Sequence, residues 1–121
     1  MNKILQSKDH SAFHSLSPDT VINLVEETLD LDCTNLFRPL NSYINRVFEL
    51  EQDNGVGLIV KFYRPGRWGK TALQEEHDFL MELYTLEIPV IAPLVHGDGV
   101  TLGQYENLFF SVLDNINCRF R

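Results

Sequence analysis

The sequence runs to 121 residues, enough for one domain with a modest core, and its 44% hydrophobic and 22% charged content is ordinary for a globular chain. Ten basic against seventeen acidic side chains give a formal charge of −7, which argues against the broad basic face that nucleic-acid binding needs. That balance still allows an anionic ligand held in a small basic pocket.

The first sixteen residues are polar and mixed, and a flexible arm is expected over 1–16. They lack the apolar run of a signal peptide, and no stretch of the chain approaches the ~20 apolar residues of a membrane span. A cytoplasmic protein without membrane contact is therefore expected. Ser17-Pro18-Asp19 starts a helix, with Ser as N-cap, Pro at the first helical position and an acid in the first turn. Val21, Leu24, Val25 and Leu29 fall on one face of it, and it is expected to end near Leu31. The two cysteines, Cys33 and Cys118, form no CxxC or Cys/His cluster that would suggest zinc, so free thiols are expected.

A β-rich block follows. Arg46 to Leu50 reads as a strand, and Asn54-Gly55 signals a hairpin, because both residues tolerate the positive φ of a tight primed turn. The return strand is Gly57 to Tyr63, with Leu58, Val60 and Phe62 facing one way and Ile59, Lys61 and Tyr63 the other. A Pro/Gly-punctuated loop covers Arg64 to Lys70, and a second helix runs from about Thr71 to Leu86. Pro89 and Pro93 frame an extended connection, and Gly97-Asp98-Gly99 marks a turn. A brief strand is expected around Thr101-Leu102, and Leu108 to Leu113 is an apolar run of strand length. The order predicts an α+β domain, an antiparallel sheet with a helix packed on it.

Two charges stand where apolar residues belong. Lys61 lies inside the strand Leu58 to Tyr63, where an unpaired buried ammonium costs several kcal/mol. Glu76 lies in a helical seam with Leu73, Leu80 and Leu83. The two account for each other if they meet, with Glu76 holding the Lys61 ammonium toward the phosphates of a nucleotide. The bland alternative is an edge strand that points Lys61 into water. Glu75 is the rival acid, off the seam.

The blocks Leu40 to Val47, Val60 to Pro65, Glu75-Glu76-His77 and Ile88 to Pro93 together resemble the start of bacterial Ser/Thr protein kinases with an aminoglycoside-phosphotransferase/choline-kinase-like fold. The match is in order from about Phe13 to Arg119. The resemblance implies a kinase-like N-terminal lobe, with a sheet of about five strands, a packed helix and an extra N-terminal helix. It implies an ATP site in which Lys61 is the phosphate-binding lysine and Glu76 its helix partner. Asn41 to Arg46 is then the turn over the phosphates, with Ser42, Tyr43 and Asn45 as contacts, and Phe110 to Asn115 is the strand entering the hinge, with Leu113 beside the adenine. Ile44 departs from an expected acidic residue, and Asn117-Cys118 from a Gly pair. The implied cofactors are ATP and magnesium, and the implied partner is a protein substrate in a stress response.

The lobe is expected over 17–114, and 115–121 is expected to be a truncated hinge or tail. The resemblance places the catalytic loop HGDxxxxN and the metal ligands in a large lobe, so no catalytic or metal residue is assigned here. The chain alone is expected to be inactive and to self-associate through its exposed underside. A non-catalytic docking module and a non-functional truncated product are the alternatives. Two fragments imitate missing chemistry. His96-Gly97-Asp98 lacks the Asn five positions on, since residue 103 is Gly, and is read as a turn. Gly69-Lys70-Thr71 lacks the first glycine of a P-loop, since residue 64 is Arg. His77 is expected to be a surface or internally satisfied histidine, and Trp68 a packing anchor for its loop.

Overall fold

The computed structural model describes residues 12–97 and 99–114. Two helices and five strands follow in the order α1 (Pro18–Leu29), β1 (Cys33–Leu40), β2 (Arg46–Gln52), β3 (Gly57–Phe62), α2 (Lys70–Thr85), β4 (Gly103–Tyr105) and β5 (Leu108–Asp114). The strands form one antiparallel sheet in the order β1-β2-β3-β5-β4. The lysine-bearing strand β3 is thus the central strand of the sheet, which removes the edge-strand alternative.

Local chemistry sets the element ends. The Ser17 hydroxyl accepts from the Thr20 N–H at 3.2 Å, with Pro18 behind it at the first helical position. α1 closes two residues earlier than its apolar pattern suggests, because Asp30 adopts a left-handed cap with φ 53° and its N–H returns to the Glu26 carbonyl. In the β2–β3 hairpin only Gly55 takes a positive φ, at 90°, so the turn is not of the primed type expected. The Gly55 N–H instead donates to the Gln52 carbonyl, and the Asn54 side-chain oxygen accepts from the Val56 N–H.

β1 has no clean alternation in the sequence, and it holds Pro39. An edge position tolerates a proline, since one side of the strand needs no ladder donor. Its register on β2 shifts between Cys33 and Phe37. The brief strand near Thr101-Leu102 begins later, at Gly103, and Thr101 and Leu102 are buried just before it.

The alternation of β3 divides the domain into two packed layers. Leu58, Val60 and Phe62 are fully buried in the larger core, with Phe48 and Leu50 from β2, Phe110 and Val112 from β5, and Val21 and Val25 from α1. Phe13 and Leu16 belong to the same core, so the segment after residue 11 is not the loose arm expected. Two apolar side chains, five and two positions before the helix start, are enough to seat it. The opposite face carries a smaller cluster of Tyr63, Leu73 and Leu102, with Phe109 against it. Of the 16 residues of α2, only Leu73 and His77 are fully buried. Residues 1–11, Asp98 and the tail from Asn115, with Cys118, lie outside the described residues. Among the described residues no helix is long and apolar enough to cross a membrane.

Two substitutions test this packing. The Phe110 ring occupies the space that a side-chain carbon at Gly103 would take. Gly103→Ala should lower stability by about 1–3 kcal/mol, read from a denaturant midpoint. Phe13→Ala should cost about 3–5 kcal/mol in the same measurement, whereas an unpacked arm would give no change.

Candidate functional site

β3 delivers Lys61 to the face that α2 covers, and its partners in register are Val47 on β2 and Ser111 on β5. The lysine is half-buried. Glu76 and Ala72 come from α2, Trp68 from the loop before it and Asn45 from the end of the β1–β2 loop. With Tyr63 and Leu73 they enclose a cavity of about 190 Å³. The lysine and the acid that sequence reasoning paired therefore line one cavity. They make no ion pair with each other, whereas Arg38 on β1 and Glu49 on β2 do pair, at 2.7 Å. The Lys61 ammonium lies 5.2 Å from the centre of the Tyr63 ring. Glu76 is exposed, so water solvates its charge, and the ring's electron-rich face gives the cation a weaker partner.

The β1–β2 loop is tied to the loop after β3. The Arg64 N–H donates to Asn45 Oδ1 and its Nε to the Ile44 carbonyl, both at 3.1 Å. The guanidinium lies 5.2 Å from the centre of the Phe13 ring. Arg64 thus joins the loop to the core. Ser42 and Tyr43 stand exposed at the loop's tip, Tyr43 fully so. Leu113 lies outside the cavity on the same sheet face, paired with Ile59, one repeat along from the Lys61–Ser111 pair. Trp68 is 55% exposed, with the Arg67 guanidinium near its ring. It is a wall of the cavity. Lys70 is an exposed helix-start residue, and His96 and Val100 bridge across the turn expected there. Among the described residues, no group of three His, Cys, Asp or Glu is gathered to hold a metal.

Beneath the cavity runs a chain of buried polar groups. The Tyr63 hydroxyl lies 3.0 Å from His77 Nε2 and 3.2 Å from the Ser111 hydroxyl, and His77 Nδ1 lies 2.9 Å from the Thr101 hydroxyl. A neutral imidazole donates at one nitrogen and accepts at the other, and a hydroxyl on each side satisfies either order. All four side chains are buried. The helical face that meets the sheet is therefore Leu73 and His77, four apart, with Leu80 and Leu83 only half-buried and Glu76 turned to the rim. Sequence reasoning left His77 between surface and satisfied interior. The usable signal was its position one helical turn after Leu73.

Burial dominates the electrostatics. It lowers the His77 pKa first of all, with Lys61 adding to the effect and Glu76 and Asp78 opposing it. Tyr63 is raised by burial, partly offset by its bond to Ser111 and reinforced by Glu76. Burial also lowers His96, whose Nε2 is buried without a hydrogen-bond partner, and raises the Cys33 thiol to about 11, far from a reactive thiolate.

A five-stranded antiparallel sheet with a lysine on its central strand, facing an acid on the following helix, defines the small lobe of a kinase-like fold. The amicoumacin kinase hAmiN, solved in complex with AMP-PNP, Ca²⁺ and Ami, superposes with a TM-score of 0.71 over 95% of this chain and 34% of its own, at 17% identity. The sequence pattern of the phosphotransferase enzyme family matches residues 37–117, and the chain belongs to that family. It is 37% identical over 108 residues to stress response kinase A of Escherichia coli O157:H7, covering 88% of this chain and 32% of that protein. It is 36% identical, over the same shares, to the serine/threonine protein kinase RdoA of Salmonella typhimurium. The chain thus spans about a third of the length of these relatives.

The two lowered histidines set a pH dependence. Below the ordinary value of 6.5, the unfolded chain takes up protons that the folded chain excludes. Stability should be level from about pH 6.5 to about pH 8 and fall as pH drops below that range through the lowered folded values. Melting temperatures between pH 7.5 and 5 should show this slope, and His77→Gln should reduce it to the part due to His96.

Proposed function

We propose that this chain grips the phosphates of ATP, as the small lobe of a cytoplasmic bacterial serine/threonine kinase that acts in a stress response. The observation that carries the reading is the meeting of Lys61, Glu76 and Asn45 around one cavity of about 190 Å³. That volume is below the ~300 Å³ at which pockets begin to hold whole drug-sized ligands. It suits a phosphate group, with the rest of the nucleotide lying along the sheet. The half-buried Val47, Ile59 and Leu113 share the face of Lys61 in that direction. They offer apolar surface for adenine within one or two strand repeats, ~7 Å each.

Each role follows from the side chain's chemistry. Lys61 supplies a compact cation with three donors. Glu76 is the acid that holds the ammonium over the cavity once phosphate draws it from the Tyr63 ring. Ser42, Tyr43 and Asn45 belong to a polar loop whose backbone N–H groups can face phosphate oxygens. The names of the kinase relatives and the nucleotide analogue in the hAmiN complex support this reading. Among the described residues no cluster suitable for the magnesium proposed to accompany ATP is gathered, so its protein ligands would come from elsewhere. In the complete kinase the large lobe would bring those ligands and the catalytic base. The exposed Tyr84, Leu86, Ile88 and Ile91 fit a lobe that turns apolar surface toward a covering partner. Uncovered, that surface favours self-association.

The experiment is calorimetric titration of the chain with AMP-PNP and magnesium. Saturable binding is expected. Lys61→Ala should weaken it at least tenfold, since a charge-assisted hydrogen bond is worth about 1.5–3 kcal/mol. Glu76→Gln should weaken it several-fold. Equal affinity in Lys61→Ala and the parent overturns the proposal.

A further inference from the structure

The helix that carries Glu76 is seated by very little. Leu73 packs on Tyr63 and Leu102, and His77 supplies the other buried contact. A leucine slides on an apolar surface at small expense, whereas an imidazole bonded at both nitrogens does not. Its two bonds leave one rigid ring toward different elements, Tyr63 just after β3 and Thr101 just before β4. Together they fix the rotation of α2 about its axis and its distance from the sheet.

Glu76 immediately precedes His77, about 100° around the helix. A carboxylate ~6 Å from the axis moves about 2 Å for each 20° of rotation. That displacement is enough to make or break a contact across the cavity. Tyr63 provides the second link. Its hydroxyl is held by His77 and Ser111, while its ring carries the Lys61 ammonium. One buried histidine therefore bears on both charged walls of the cavity without touching its interior.

We propose that His77 is a positioning residue for the nucleotide grip. Through Thr101 and Tyr63 it sets the rotation of α2 that faces Glu76 toward Lys61. Through Tyr63 it also fixes the platform on which the ammonium rests. The proposal rests on the cavity being a nucleotide-phosphate site. The groups that face His77 are Glu76 and Asp78 on its own helix and Lys61 and Tyr63 from the sheet.

The test is a double-mutant cycle on AMP-PNP affinity, measured with magnesium on the same chain. Thr101→Val removes the hydroxyl at Nδ1 and lies outside the cavity. His77→Gln removes the ring. Each should weaken binding about three- to tenfold when Glu76 is present; in a Glu76→Gln background, where no carboxylate remains to be placed, Thr101→Val, which leaves the Tyr63 bond in place, should weaken it less than twofold, and His77→Gln should keep only the smaller part carried by Tyr63. Thr101→Val decides the matter if His77→Gln melts below the titration temperature. Equal weakening by Thr101→Val in both backgrounds would mean a merely structural role, and no weakening by either variant in either background would mean none; both overturn the proposal. Loss of Lys61 dependence would instead bring down the nucleotide reading itself, and this inference with it. Lys61 dependence without coupling to Glu76 sinks the positioning role alone.

Discussion

The period of two in β3 governs this domain. A central strand, paired on both edges and covered on both faces, must send successive side chains into opposite environments. Leu58, Val60 and Phe62 enter the larger core, and Ile59, Lys61 and Tyr63 take the opposite face, where Lys61 and Tyr63 meet α2. A one-residue slip would place the ammonium among Phe48, Phe110 and Val21, an environment that cannot solvate it. Register on β3 is therefore held by hydrophobic burial on one face. The charged face inherits its geometry from that constraint.

The electrostatic arrangement follows from burial in turn. Lys61 is only half-buried and Glu76 is exposed, so neither charge bears the full desolvation that would force a tight pair. The ammonium rests over the Tyr63 ring, an attraction of about 0.5–1 kcal/mol at a partly wet site. Such a rest position is easily exchanged for a stronger anion, which suits a grip that must open and close. The polar chain beneath is the opposite case. Tyr63, His77, Thr101 and Ser111 are buried, and each has a partner, so the network is rigid where the cavity above it is soft.

Two loops connect these layers. Arg64 binds the β1–β2 loop through Asn45 and Ile44 and stacks toward Phe13. The loop over the cavity is thereby anchored to the core of the first face, through a segment whose polar composition gave no sign of packing.

Much of this was legible in the residues. The cap at Ser17, the alternation of β3, the hairpin at Gly55 and the oddity of a lysine in an apolar strand are local patterns, set by dihedral preference and periodicity within a few residues. Family membership was legible too, because Val60-Lys61-Phe62-Tyr63-Arg64-Pro65 and Ile88 to Pro93 are contiguous blocks. β1 was not, since an edge strand with a proline and an irregular register needs neither alternation nor a full ladder. Nor was the placing of Phe13 and Leu16, which depends on a groove that exists only after α1 meets the sheet. His77 marks the boundary most clearly. The sequence by itself determined that a lysine and an acid would lie on facing elements. Only the tertiary structure decided that the histidine beside the acid, not the acid, would turn inward, because its partners are residues 14 and 24 positions away and hydrogen-bond satisfaction is a property of the assembled interior.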